Sequence, residues 1–269
     1  MKAEPMNDTI LRINDLSKSY PSRAGEVKAI ERVAFDVRSG EFVALVGPSG
    51  CGKTTLMMCV AGLTPLTSGE VYLRSDQVTE PPEGLAVVFQ DYSRSLFPWL
   101  TVASNIEVPL RGRLPKNEIR QRRQRALEAV ELDGADALYP WQLSGGMQQR
   151  VAIARGLAMN PEVLLMDEPF ASVDAQTRAT LEDLLLRVWQ EFGSTILFVT
   201  HDIDEAVYLS DRVVVLTQGP STINADIGVD LPRPRDQITT KEDPEFAHLR
   251  SEVFRLVMKS TRRTSIVGR

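Results

Sequence analysis

The chain has 269 residues, with 31 Lys plus Arg against 36 Asp plus Glu, a formal net charge of −5; 43% of residues are hydrophobic and 25% charged. This balance excludes a mainly disordered chain and a protein that coats nucleic acid by charge alone. The length allows one large domain or two modest ones, either able to bury a core. No run approaches the roughly 20 apolar residues of a membrane span. Met1–Pro5 lacks an apolar signal core, so export is not expected. Cys51 and Cys59 lie close together and make no disulfide framework, which suits a reducing cytoplasm.

In chain order, the residues before Pro21 and those around Val27–Val37 read as an antiparallel flank. Glu41–Val46 reads as a buried strand feeding Gly47, and Lys53–Ala61 as a helix. Leu85–Phe89 is a further strand. From about 91 to 160 the strand pattern fades and helical patterns take over, which predicts an inserted helical subdomain. Within it, Pro115–Leu132 reads as a helix with Ile119, Ala126, Leu127 and Val130 on one side. Arg111, Arg113, Lys116, Arg120, Arg122, Arg123 and Arg125 crowd the other faces, either as a solvated face or near anionic lipid headgroups.

Val163–Met166, Thr195–Val199 and Arg212–Leu216 read as strands. Between them, Ala175–Phe192 is the clearest helix, with Leu181, Leu184, Leu185, Val188, Trp189 and Phe192 at three- and four-residue steps. The alternation predicts an α/β protein with a largely parallel core sheet. After Leu231 the chain is rich in proline and charge. Pro244–Lys259 reads as a last helix and Ser260–Arg269 as a mobile basic end. The expected division is a main domain over 8–231 and a C-terminal extension over 232–269.

Gly47-Pro48-Ser49-Gly50-Cys51-Gly52-Lys53-Thr54 fits the phosphate-loop pattern, between a predicted strand and a predicted helix. Glycines let successive N–H groups converge on one anion, and the helix N-terminus adds positive potential. Lys53 reaches the outer phosphates, and the Thr54 hydroxyl suits Mg²⁺. Val163–Met166 runs into Asp167 and Glu168. Asp167 suits Mg²⁺ held through water, and Glu168 suits an attacking water; alone, such a strand end is equally a solvated acidic turn. His201 follows another strand, as a γ-phosphate sensor or as a capping histidine. His248 receives no role. Ser144, Gly145 and Gly146 open a helix running to about Met159 and make a second anion cradle, although S-G-G is also a common loop. Two cradles for one nucleotide are explained by a head-to-tail dimer, in which each cradle completes the partner's site. Cys51 is either a thiol activated by the helix start or a small filler.

The ordered set GPSGCGKTT at 47–55, Gln90 after a strand, LSGGMQQRVAIARGL at 143–157, VLLMDEP at 163–169 and VTHD at 199–202 resembles the ATP-binding subunit of an ATP-binding-cassette (ABC) transporter, over roughly residues 10–230. The resemblance implies a P-loop NTPase core sheet with an antiparallel β flank and an inserted helical subdomain, binding ATP and Mg²⁺. It implies that Tyr20 stacks on adenine and that Gly47 through Thr55 hold the phosphates. Gln90 would reach Mg²⁺ and the attacking water. Ser144–Gly146 would touch the γ-phosphate of the other protomer, Ser172–Asp174 would let protomers sense each other, and His201 would hold the γ-phosphate. Met147 and Val173 depart from the commonest family pattern (Gln and Leu) beside the phosphate-touching positions, with altered packing and retained hydrolysis expected.

One cassette without a membrane span resembles a bacterial importer whose channel is formed by separate multi-span permease subunits, fed by a substrate-binding protein, with no nucleic-acid partner. The 38 residues after Leu231 are too few for an added regulatory barrel. Leu96–Val102 with Asn105 and Ile106 resembles the branch importing nitrate, sulfonates, taurine and related compounds. Phe97 and Trp99 are then either core or a groove for a permease helix. The expected location is the cytoplasmic face of the inner membrane, as a peripheral homodimer. The rival reading is a non-transport ABC ATPase acting on DNA or ribosomes, which usually carries long coiled-coil insertions or a second cassette.

Overall fold

The structure, a computed structural model, describes residues 9–22, 25–91 and 95–264. The expectations for Met1–Pro5 and for the mobile end beyond residue 264 lie outside them. Contacts divide the chain into two compact units, residues 1–82 with 195–269, and residues 83–194.

In the first unit, strands β1 (Thr9–Ser22), β2 (Gly25–Arg38), β4 (Ser68–Leu73) and β5 (Asp76–Gln77) form an antiparallel sheet of order β2-β1-β4-β5. This is the anticipated flank, with two strands that the sequence pattern does not reveal. Close approach of chains shapes it: Gly69 has φ +88°, and a Cβ there would lie 2.4 Å from the Asp15 carbonyl oxygen. The second sheet carries β3 (Phe42–Val46) between β8 (Thr195–Val199) and β9 (Arg212–Leu216), all parallel, with β10 (Ile223–Gly228) antiparallel on β9. FVALV and TILFV are buried at every position. A strand covered on both faces needs such an unbroken apolar run.

Helix α1 (Lys53–Val60) follows β3 through the glycine-rich loop, one residue shorter than expected, with Ala61 as its C-cap. Helices α6 (Ile203–Leu209), which packs on β3, α7 (Thr239–Glu242) and α8 (Pro244–Thr264) complete the unit. The proline- and charge-rich stretch after Leu231 is anchored inward. Arg233 pairs with Asp211 at 2.6 Å, and the buried Arg235 donates to the carbonyls of Val207 (3.2 Å) and Tyr208 (2.6 Å). Burial lowers the Arg235 pKa to about 10. The last helix runs to Thr264, five residues past the predicted end at Lys259. Ser260 is buried and its hydroxyl donates to the Val257 carbonyl at 2.6 Å.

In the second unit, β6 (Leu85–Val88) and β7 (Val163–Asp167) pair in parallel, Leu85 against Val163 and Val88 against Met166. Phe89, expected to end the strand, lies beyond it and is exposed. Helices α2 (Val102–Glu107), α3 (Lys116–Ala129), α4 (Gly145–Ala158) and α5 (Ala175–Phe192) fill the rest. The observed α3 is shorter than the predicted 115–132: Pro115 stands at its N-cap and Val130 at its C-cap. Helix α5 has the predicted bounds. Asp174 caps its N-terminus and Gly193, at φ 62°, its C-terminus. The arginines of α3 are largely paired: Arg122 with Glu118 at 2.6 Å, Arg123 with Glu107 and Asp136, and Arg125 over the Phe192 ring at 4.4 Å.

Candidate nucleotide site

The glycine-rich loop leaves the C-terminal end of β3 and enters α1 at Lys53. Gly50 (φ +73°) and Gly52 (φ +102°) hold conformations that side-chain-bearing residues rarely adopt. Gly47 is needed for space: a Cβ there would lie 3.0 Å from Cys51 Sγ and 3.1 Å from Leu216 Cβ. Gly52 is the N-cap, no side chain caps the helix, and its first turn holds no acidic residue. The positive end of the helix therefore faces the loop with no carboxylate beside it, which suits an anion. Lys53 is 6% exposed, and its ammonium donates to the carbonyls of Gly47 (3.0 Å) and Pro48 (3.3 Å). The cation is thus held over the loop by the loop itself. Ser49, Gly50 and Thr54 are exposed, whereas Pro48 is buried and Thr55 half-buried. Cys51 is buried, which fits the filler reading. Cys59 is also buried, and its thiol is pushed up to about 11, mainly by desolvation.

In the same unit, Tyr20 lies two residues before the end of β1 and is 42% exposed, and the ammonium of the buried Lys18 sits 4.8 Å from its ring centroid. Lys18 was not a candidate from the sequence; only its i−2 spacing along a strand, on the same face, could have signalled it. His201 is exposed just after β8, on a loop pinned at both sides. The Asp202 N–H donates to Thr200 Oγ1 at 2.9 Å, and the Thr200 hydroxyl donates to Glu205 Oε2 at 2.6 Å. Asp202 caps α6 by accepting from Asp204 N–H and Glu205 N–H. A groove of about 650 Å³ beside this loop is lined by His201, Asp204, Arg250, Phe254 and Arg255.

In the second unit, β7 ends on the buried Asp167, and Glu168 follows with φ 41°, a left-handed backbone at a non-glycine residue. Such strain is held only where the surroundings over-determine it. Gln90, just beyond β6, comes to Glu168: its Nε2–H donates to Glu168 Oε2 at 3.2 Å. The parallel β6–β7 pairing places both at corresponding strand ends. Past Phe170, Asp174 accepts from Gln176 N–H, Thr177 N–H and the Thr177 hydroxyl (2.7 Å). These bonds, those from Thr177 foremost, hold its carboxyl below the ordinary value.

Ser144 is the N-cap of α4, accepting from Met147 N–H at 3.3 Å, and Ser144 and Gly145 are exposed. No acidic residue occupies the first turn, so the positive potential of this helix start is not offset there. A Cβ at Gly146 would lie 2.7 Å from Thr177 Cγ2. The hydrogen bond of Thr177 to Asp174 fixes that methyl. Gly146→Ala is therefore expected to lower stability by about 1–2 kcal/mol, and adding Thr177→Ser, which removes the methyl and keeps the hydroxyl, to restore most of it. Urea unfolding of the single and double variants checks this.

No helix among the described residues is long and apolar enough to cross a membrane. Trp99 is 70% exposed and packs on Phe97 with ring centroids 5.5 Å apart, so Trp99 is not a core residue.

Residues 30–171 match the family model described as ABC transporter. The nitrate import ATP-binding protein NrtD of Synechococcus elongatus is 44% identical over 94% of this chain and 93% of its own. The aliphatic sulfonates import ATP-binding protein SsuB of Bacillus cereus is 42% identical over 90% and 93%. Among solved structures, the dimeric post-hydrolysis state of the ATP-binding cassette MJ0796 bound to ADP and Pi superposes with a TM-score of 0.71 at 33% identity, covering 81% of this chain and 98% of that one. The chain therefore belongs to the ABC transporter family and is one of its ATP-hydrolysing, ATP-binding subunits.

Proposed function

We propose that this ATPase is the energy-coupling subunit of an importer for a small anion of the nitrate or sulfonate kind, working as a head-to-tail pair on the cytoplasmic face of a membrane. The relatives named for nitrate and sulfonate import support the substrate class. The chemistry is carried by one observation, the hydrogen bond between Gln90 and the strained Glu168. In this reading residues 8–231 are the ATPase domain, 91–160 its helical subdomain and 232–269 an extension.

In this reading the residues divide the work as follows. Tyr20 presents a ring face to adenine. Residues 47–55 wrap the phosphates with N–H groups, and Lys53 swings from the loop carbonyls to the β- and γ-phosphates. Ser144, Gly145 and Gly146 of the second copy close on the γ-phosphate with another helix start. Glu168 takes a proton from the attacking water, Gln90 steadies that carboxylate and the water, and His201 contacts the γ-phosphate. The bond from the γ-phosphorus to the bridging oxygen breaks, and the leaving ADP keeps its electron pair.

Mg²⁺ suits the donors available. Thr54, Gln90 and Asp167 offer oxygen ligands, which a hard cation prefers. An ion held chiefly by phosphate oxygens, with few side-chain ligands, matches that set. It would supply charge neutralisation of the phosphates. Closure is driven because ATP binds the closed pair more tightly than the open one.

The Phe97–Trp99 pair is the apolar anchor for a permease helix in this reading. Trp99→Ala is expected to leave the basal ATPase of the isolated chain within twofold, and to abolish stimulation by co-purified multi-span membrane subunits. Stimulation retained in full would remove the docking role. Growth of a deletion strain on single nitrogen and sulfur sources then identifies the compound.

A further inference from the structure

Just before the Ser144 cradle, the chain displays two aromatic rings with no core to fill. Trp141 is 71% exposed and Tyr139 36%, and the two stack with centroids 5.9 Å apart and planes 16° from parallel. Large apolar surface left in water marks a contact. The backbone that carries the pair is held by hydrogen bonds. Tyr139 N–H donates to Gln142 Oε1 at 2.8 Å, and Gln148, on α4, donates to the carbonyls of Pro140 (3.0 Å) and Leu143 (3.2 Å). The backbone that carries the rings is thus tied to α4, and three residues place Trp141 within about 10 Å of Ser144 along the chain. That reach is comparable to the stretch from a terminal phosphate to the ribose and base of one nucleotide.

Resting on the head-to-tail pairing proposed above, we infer that Trp141, backed by Tyr139, is the second wall of the adenosine pocket in the partner protomer. While Ser144 holds the γ-phosphate of the other copy's ATP, the indole meets the sugar and base of that same nucleotide. Tyr20 of the nucleotide's own chain offers one ring, with Lys18 supporting it. The base is then held between an aromatic of each copy. Stacking of this kind accepts any base but favours the larger purines.

The test uses the full chain with Glu168→Gln, which removes hydrolysis, and reads the MgATP concentration for half-maximal dimerisation by light scattering. Adding Trp141→Ala should raise it roughly tenfold; Trp141→Phe should change it by less than threefold. The preference for ATP over UTP should narrow in the Ala variant. MgADP affinity of the monomer without the Glu168 change should stay within twofold, because the contact is made only across the pair. Trp141 is exposed, so its truncation opens no cavity, and circular dichroism verifies the fold. An unchanged dimerisation midpoint and base preference would overturn the inference. So would an equal loss of ADP affinity in the monomer, or a defect confined to binding membrane subunits, which would assign the rings to permease docking. If the Glu168→Gln chain never pairs at saturating MgATP, the pairing itself fails and the inference falls with it, a result separate from a normal midpoint in the Trp141→Ala variant.

Discussion

Glu168→Gln is expected to lower the ATPase rate by roughly 10²- to 10⁴-fold while ATP binding survives. The amide keeps the shape of the carboxylate and can still meet Gln90, which donates to Glu168 Oε2 at 3.2 Å. Only the capacity to accept the proton of water is lost. Steady-state phosphate release measures the effect, and equilibrium titration with MgATP separates binding from chemistry. A rate within threefold of the parent would mean that another group takes the proton, and Glu168 would lose its role as base.

Lys53→Met should weaken MgATP binding by roughly 10- to 100-fold, because a hydrogen bond between charged groups contributes about 1.5–3 kcal/mol. Methionine retains an apolar stem at a position that is almost fully buried, so the loss is mainly of charge. The carbonyls of Gly47 and Pro48 also lose their donor, which loosens the loop before any nucleotide arrives. Isothermal titration with MgATP at fixed ionic strength reads the change. Parent-like affinity would show that the backbone N–H groups alone carry the phosphates.

How much of this was written in the sequence depended on how local each signal is. Helix α5 matched its predicted bounds because its cap (Asp174), its apolar stripe and its terminal Gly193 all lie within twenty residues of one another. The strands FVALV and TILFV were legible because a strand buried on both faces must be apolar throughout. Strands β5 and β10 were missed: both lack a buried face to impose an alternation, and they exist only through their neighbours. The short helix α6 depends on its Asp202 cap, a signal too brief for a periodicity reading.

The arginines of α3 show the same limit from the side of charge. Arg122 has its acid on the same helix at i−4, a spacing open to the eye. Arg123 instead pairs with Glu107 and Asp136, brought in from outside the helix. A charge run read as a solvated face was therefore partly an internal network. Within the site, the motif spacings marked Gly47–Thr55, Asp167, Glu168 and Ser144–Gly146. What they could not mark was the Lys18 ammonium beside Tyr20, the Thr177 methyl that excludes a side chain at Gly146, or the stacked aromatic pair ahead of Ser144. Each of these needs a contact that spacing does not encode.

In the proposed pairing, the exposed helix start at Ser144 receives a phosphate that arrives on a second copy of the chain. Light scattering of the Glu168→Gln protein, with and without saturating MgATP, measures this directly. The account predicts a shift from the mass of one chain to that of two, reversed when MgATP is removed and prevented by Ser144→Arg. A particle that keeps the mass of one chain in MgATP, with nucleotide binding confirmed in the same sample, would contradict it.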